Sequence, residues 1–245
     1  MLNLMTYNIG GNKEHLSLIE EIVKAEKPDV LVLNEISWID DKSAVEMSSR
    51  IGLPYFCFSK STKSINHTAI FSTFSLDNRR HITGLQNSGI IVMAKTKYGQ
   101  ISIAGIHLAP NTEDTRLSEI KNVCSAQYNC EYKIIMGDLN SISPENQVKS
   151  NHLSGTSEFE EPVRYDVIGF IKNLGYRDAA VIACKGHVAT VPYTVDGNVE
   201  YYDLRLDYVF LSGQLVDSRR VNYSVIASKK TNRLSDHYPI VVRIN

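Results

Sequence analysis

The sequence predicts an α+β fold in which two mixed β-sheets pack face to face and helices cover their outer faces. Three observations carry that expectation. Segments with strand character outnumber segments with helical spacing, the helical segments recur at intervals between strands, and several strands are apolar at nearly every residue, as strands covered on both faces are. A doubly wound nucleotide-binding sheet is disfavoured, because no Gly-x-Gly-x-x-Gly follows the first strand, and no repeat of fixed short period is visible.

Taken in order, Met1 to Asn8 reads as a strand, and Gly10-Gly11-Asn12 makes a turn. Leu16, Ile19, Ile22 and Val23 fall at helical spacing across residues 13–26, and Pro28 stops that helix. Val30 to Asn34 forms the body of an apolar strand that ends in a carboxylate, Glu35. Residues 43–51 read as a second helix and Tyr55 to Ser59 as a third strand. Consecutive strands follow at His67 to Thr73, Arg79 to Thr83, Ser88 to Thr96 and Gln100 to His107, with Lys97-Tyr98-Gly99 as a hairpin turn. A helix over roughly 112–127 returns the chain to the run Lys133-Ile134-Ile135-Met136-Gly137-Asp138. Residues 141–162 are polar, acidic and aperiodic, which reads as a loop beside the cleft. A helix near 164–174 comes next. Tyr202 to Leu211 and Arg220 to Ala227 read as strands joined through Ser212-Gly213, and Tyr238 to Ile244 closes the chain.

At 245 residues, with no composition shift or linker, residues 1–245 are expected to form a single domain. Hydrophobic content of 43% is enough for a full core without disulfides or structural metals. The four cysteines have no C-x-x-C spacing and are expected to be reduced and mostly buried. Residues 1–8 read as a strand and not as a secretion signal, and no apolar run approaches the ~20 residues needed to cross a bilayer. The expectation is a soluble, cytoplasmic monomer with no integral membrane association. Lys and Arg number 26 against 27 Asp and Glu, which argues against coating nucleic acid by bulk charge but leaves room for a locally basic site.

Polar residues collect at the strand ends. Asn8, Glu35, His107, Asp138, Asn140, Asp207, Asp236 and His237 each lie at or just beyond an apolar strand, and Asp207 interrupts an apolar run where a charge is excluded unless paired. Asp138 and Asn140 are two apart, so in extended chain both face one side while Leu139 turns to the core. Any one of these is an ordinary strand exit or turn former. Eight together point to a site.

Glu35, with Asn8 and Asp236, offers hard oxygen ligands suited to Mg²⁺, for which Mn²⁺ can substitute. Asp138, steadied by Asn140, can orient and deprotonate a water in line with phosphorus. His107 and His237 can donate to phosphoryl oxygens, with Asp207 fixing His237. This chemistry is metal-assisted phosphoester hydrolysis. A Gly-x-Ser-x-Gly elbow, His-Glu-x-x-His and a Walker loop are all missing.

The motifs Thr6-Tyr7-Asn8-Ile9, Leu33-Asn34-Glu35, Ile106-His107-Leu108-Ala109-Pro110, Gly137-Asp138-Leu139-Asn140, Arg205-Leu206-Asp207-Tyr208-Val209-Phe210 and Ser235-Asp236-His237-Tyr238-Pro239 occur in an order that resembles the endonuclease/exonuclease/phosphatase superfamily. The resemblance covers nearly the whole chain. It implies a four-layer α/β/β/α sandwich with the cleft at one edge of the two sheets. It also implies a divalent metal at Glu35 and chemistry at Asp138, Asn140 and the Asp207/His237 pair. Two departures stand out. Asn34 occupies a position where that superfamily usually has Gln, and Asn66-His67-Thr68 replaces the more usual Asn-Gly.

For substrate contacts, Lys229, Lys230 and Arg233 form a basic patch just before Asp236-His237, or else a solvated turn. Trp38, the only tryptophan, either stacks on a base or packs under a loop, and Tyr193 is a weaker candidate of the same kind. The expected activity is a Mg²⁺-dependent phosphodiesterase, most readily an endonuclease or exonuclease on nucleic acid. The alternatives are a phosphatase or phosphodiesterase acting on a small-molecule or lipid phosphoester, and a catalytically inactive binding domain.

Overall fold

The computed structural model describes residues 1–11, 13–146, 162–191, 194–195, 198–199 and 203–245. The first sheet has the order β13-β14-β1-β2-β4-β3, formed by Val221–Val225, Ile240–Ile244, Leu2–Asn8, Val30–Asn34, Thr68–Ser72 and Tyr55–Ser59. The second has the order β5-β6-β7-β8-β12-β9, formed by Leu76–His81, Gly89–Thr96, Gly99–His107, Tyr132–Asp138, Asp207–Ser212 and Tyr176–Asp178. Two short pieces, Thr194–Val195 (β10) and Asn198–Val199 (β11), pair with each other.

The apolar runs divide their side chains between two cores. In β1, Leu2 and Leu4 face the second sheet while Met5 and Tyr7 face outward. In β2, Val30 and Val32 face inward while Leu31 and Leu33 face outward. The inward set meets Ile103, Ile134, Met136 and Val209 from the second sheet. The outward set is covered by helices α1 (Leu16–Glu26) and α2 (Asp41–Ile51). On the other side, α3 (Glu113–Ala126) and α4 (Asp166–Asn173) cover the second sheet through Ile120, Val123, Val167 and Ile171. The result is a four-layer α/β/β/α sandwich, in which strands buried on both faces need apolar residues at every position.

Helix ends follow local chemistry. Lys27 adopts a left-handed conformation at the end of α1 ahead of Pro28. Asp40 and Ser43 form a reciprocal capping box at the start of α2, and Gly52 closes it in the left-handed region.

Several boundaries differ from the sequence expectation. The strand expected at Arg79 to Thr83 lies at Leu76–His81, because its register with β6 shifts between Asp77 and Arg80, where Asn78 has φ 49°. The strand expected from Tyr202 begins at Asp207, so Asp207 opens the strand and does not interrupt it; Leu204 pairs only through an isolated bridge to Val191. A short helix, α6 (Gly213–Val216), stands between β12 and β13 in place of a direct turn. Strand β9 and the short helix α5 (Ala179–Ile182) were not expected. All four cysteines are free, but only Cys57 is buried, while Cys184 is exposed. Among the described residues, no helix is long and apolar enough to cross a membrane.

What positions the site is strand direction. Each sheet has one parallel pair at its centre, β1 with β2 and β7 with β8, in register so that Asn8 stands beside Asn34 and His107 beside Asp138. Strands β12 and β14 run antiparallel to β8 and β1, so their starts lie at that same edge. In open α/β sheets, ligands bind outside the carboxyl ends of parallel strands, and here two such edges face each other.

Candidate active site

The backbone at this edge is bent in ways that turn side chains into the gap between the sheets. Glu35 has φ 59°, a left-handed conformation uncommon for a non-glycine residue, and Asn140 has φ 48°, which Asn tolerates better than most. Gly137 has φ 140°, and a Cβ there would stand 1.9 Å from the Ile106 carbonyl oxygen. Only glycine lets β8 approach β7 so closely.

Asp138 is the hub. The Asn8 side-chain amide donates to Asp138 Oδ2 at 3.0 Å and to Glu35 Oε1 at 3.1 Å, so one residue of the first sheet ties the two carboxylates together. The Asn140 backbone N–H donates to Asp138 Oδ1 at 2.9 Å. His107 Nε2 lies 3.4 Å from Asp138 Oδ2, 3.9 Å from Glu35 Oε1 and 3.3 Å from Asn140 Nδ2. On the other side, His237 Nε2 lies 3.8 Å from Asp138 Oδ2, while His237 Nδ1 is 2.7 Å from Asp207 Oδ2. Asp236 follows Ser235, whose hydroxyl lies 3.1 Å from Asp236 Oδ1 and donates to the Asn8 carbonyl at 2.8 Å. Glu35 retains 27% side-chain exposure, while Asp138 and Asp207 are buried.

Electrostatics follow from that packing. Burial opposes a charge on His237, but the carboxylates of Asp207, Asp138 and Asp236 outweigh it and hold the imidazole pKa well above its ordinary value. Burial likewise pushes the Asp207 carboxyl up, with the imidazole pulling against it. Asp207 Oδ1 and His107 Nδ1 are buried without hydrogen-bond partners.

The structure therefore brings Asn8, Glu35, His107, Asp138, Asn140, Asp207 and His237 together, with Asp236 linked to Asn8 through Ser235. Two donor sets can hold a divalent cation. Asp138, Asp207 and His237 have ligand atoms within 4.8 Å of one another, and Glu35 and Asp236 add hard carboxylate oxygens at the same edge, whereas Asn8 turns its amide NH2 to Glu35 and Asp138 and its Oδ1 to the Gly10 N–H at 3.0 Å. The first set includes the Asp207–His237 hydrogen bond, which occupies one ligand atom of each residue.

Trp38 packs in the cluster under α1 and α2 with Lys13 over its ring. Lys230 forms an ion pair with Glu21 of α1, and Lys229 and Arg233 are exposed on the same turn. Tyr193 lies outside the described residues.

Two further residues hold the site's frame. Asn34 is fully buried; its amide donates to Ile106 O at 3.1 Å and Thr68 Oγ1 at 3.0 Å, and its oxygen accepts from Asp138 N at 3.1 Å. It pins the two sheets together directly beneath Asp138. The signal was a polar residue closing an apolar strand beside Glu35. Thr190 Oγ1 accepts from the Leu206 and Asp207 N–H groups at 3.0 and 3.2 Å, and its carbonyl accepts from Tyr238 N at 2.7 Å, which holds the two halves of the Asp207–His237 pair. Nothing in its sequence context marks it.

Residues 5–237 match the Endonuclease/Exonuclease/phosphatase family, and the chain belongs to that family. Members of this family are hydrolases of phosphoester bonds. No curated protein matches the chain significantly. Among solved structures, the fold is similar to an AP endonuclease from Archaeoglobus fulgidus, with TM-score 0.77 and 18% identity over 100% of both chains. It is also similar to a truncated TDP2 from Caenorhabditis elegans, with TM-score 0.64 and 18% identity over 98% of this chain and 96% of that one. A mannosyl-6-phosphatase from Bacteroides thetaiotaomicron has TM-score 0.69 and 14% identity over 100% of both chains. At these identities the likeness is one of fold.

Proposed function

We propose that this member of the endonuclease/exonuclease/phosphatase family hydrolyses phosphodiester bonds in nucleic acid, with a bound divalent ion of the Mg²⁺ type. The observation that carries the reading is the Asp138 carboxylate, held by Asn8 and the Asn140 N–H between Glu35 on one side and the Asp207–His237 pair on the other. An AP endonuclease of the same fold supports nucleic acid as the substrate class.

The donor chemistry fits the ion, since the Glu35, Asp138 and Asp236 carboxylates are hard oxygen donors and Glu35 is open to solvent where hydration waters need room. When bound there, such an ion supplies Lewis-acid neutralisation of the phosphoryl charge. The chain's own residues do the rest. Asp138 receives a proton from the attacking water, which its two hydrogen-bonded anchors leave it positioned to orient. Protonated His237 donates from Nε2 to a phosphoryl oxygen as charge develops, and Asp207 fixes the ring through Nδ1. His107, 3.4 Å from Asp138, donates on the opposite flank, and the Asn140 amide, bonded to Leu108 O at 3.0 Å, keeps that flank closed.

The test is a panel assayed in Mg²⁺: supercoiled plasmid, single-stranded DNA, abasic duplex, RNA, inositol phosphates and sphingomyelin. Cleavage of a nucleic acid that stops on chelation is the expected result. Turnover of inositol phosphate or sphingomyelin with every nucleic acid intact overturns the substrate class.

A further inference from the structure

We infer that the catalytic edge carries a second, metal-free phosphate subsite at the junction of β3 and β5, and that the substrate therefore bears a second phosphate on that side of the reacting one. The inference rests on the phosphoesterase reading above and extends it to the shape of the substrate.

A cavity of about 200 Å³ opens where these two edge strands meet, lined by Ser59, Lys60, Ser61, Thr62, His81 and Thr83, with Asn87 and Ser88 at its back. Both strands end at the catalytic edge. β3 runs antiparallel to β4, which runs antiparallel to β2; β5 is related to β7 through β6 in the same way. Ser59 and His81 thus terminate their strands on the same side as Glu35 and His107, each displaced by two strand spacings, roughly 10 Å. That distance is within reach of a neighbouring phosphate along a polynucleotide strand, or of a second phosphate on a multiply phosphorylated small molecule.

The pocket is joined to the catalytic residues by its back wall. Ser88 O accepts from the His107 N–H at 2.9 Å, and the Asn87 amide donates to Leu108 O at 3.0 Å. Its floor is braced across the sheets by the His81 Nδ1 and Ser59 Oγ contact at 3.2 Å, and its rim by Ser61 Oγ donating to Gln86 O at 2.8 Å.

Its chemistry is the reverse of the centre's. None of the lining residues is acidic; Lys60 brings an ammonium, which lies 5.9 Å from the centre of the Phe58 ring, His81 an imidazole, and Thr62 and Thr83 hydroxyls, those of Ser59, Ser61 and Ser88 being bonded within the protein. Lys63, on the same loop, reaches across to Gly84 O at 3.4 Å. The centre gathers Glu35, Asp138, Asp207 and Asp236, so an additional phosphate there meets carboxylates. Towards β14 the edge carries Asp207 and Asp236, and Lys230 on that side is already paired with Glu21. At the β3/β5 end a second anion finds cation and hydroxyl donors in a pocket that no carboxylate lines, with Asp40 acting on Lys60 and Glu119 on Lys63 from outside it.

The test compares substrates with and without the second phosphate in the wild type and Lys60→Ala, Lys60 being exposed and outside the core. The thymidine dinucleotide TpT has one phosphate; the trinucleotide TpTpT has two. The wild type is expected to bind and turn over TpTpT in preference to TpT, and Lys60→Ala to reduce that preference about fivefold, with the log–log salt dependence of TpTpT binding falling by about one unit. Inositol bisphosphate against inositol monophosphate makes the same comparison for a small-molecule source. Equilibrium binding is read beside turnover, so absence of hydrolysis with the binding preference intact counts against the phosphodiesterase reading alone. A wild-type preference that Lys60→Ala leaves unchanged in both substrate pairs, or no preference at all, overturns the subsite.

Discussion

Two buried charge pairs stand two residues apart at the start of β12, and they are built to opposite ends. Arg205 is engaged on every side: Nη1 donates to Asp178 Oδ1 at 3.0 Å, Nη2 lies 2.7 Å from Asp178 Oδ2, Nε donates to Asn146 Oδ1 at 3.1 Å, and the guanidinium stacks 4.5 Å from the Tyr208 ring. Asp178 Oδ1 also caps the short helix α5 through Ala180 N. Asp207 meets one charged partner, His237, through Oδ2; its Oδ1 makes no hydrogen bond, and neither does Asp178 Oδ2, but Asp178 Oδ2 has the Arg205 guanidinium 2.7 Å away. A buried pair whose groups are used up by the protein specifies a fold, whereas one with capacity turned toward a cleft and two further carboxylates around its imidazole holds charge for something else. Burial alone does not separate the two pairs; what surrounds the cation does, Asn146 and the Tyr208 ring for Arg205 and the Asp138 and Asp236 carboxylates for His237.

That contrast can be broken by substitution, beginning with the largest effect. Asp207→Asn is expected to lower turnover by about 10²–10⁴-fold with a loss of stability smaller than that of Asp178→Ala, because the His237 imidazole left behind can shed its proton and the Arg205 guanidinium cannot. Steady-state rates beside thermal unfolding check this, and a stability loss that accounts for the lost activity would make the pair structural. Asp178→Ala strands the Arg205 charge and is expected to cost about 3–5 kcal/mol in urea unfolding, with turnover per folded molecule retained. Asn34→Leu leaves Asp138 N and Ile106 O without their partner and is expected to cost about 2–4 kcal/mol, from about 1–3 for each buried group left unpaired, with a loss of turnover that exceeds the loss of folded protein. Lys230→Ala, which removes an exposed pair with Glu21, is expected to change stability by less than about 0.5 kcal/mol.

How far these features can be read from sequence depends on which contacts make them. The strand ends were legible because an apolar run that stops at a carboxylate or histidine is a local pattern; Asp138, His107 and Glu35 all announce themselves that way. Their meeting was legible only through the ordered motifs, since Asn8 and Asp138 are 130 residues apart and joined by sheet packing. Asn34 was noticed as a departure, but its three hydrogen bonds run to the other sheet and to β4, which no local pattern encodes. The basic run of Lys229, Lys230 and Arg233 does not show in sequence that Lys230 pairs with Glu21 of α1, 209 residues away. The three-residue strand β9 is too short to show alternation, and the shift in β5 comes from an irregular pairing with β6 that spacing does not reveal. The β3/β5 pocket depends on two edge strands meeting across the sandwich, so its residues carry no motif at all.

Hydrolysis of bis(p-nitrophenyl) phosphate by the full chain tests metal-assisted phosphodiester hydrolysis at Glu35 and Asp138 most directly. Wild-type protein is expected to release nitrophenol with Mg²⁺ or Mn²⁺ and to stop when the ion is chelated. Glu35→Ala and Asp138→Ala are expected to fall to background while keeping native circular dichroism. Hydrolysis that persists through chelation and through both substitutions would contradict it.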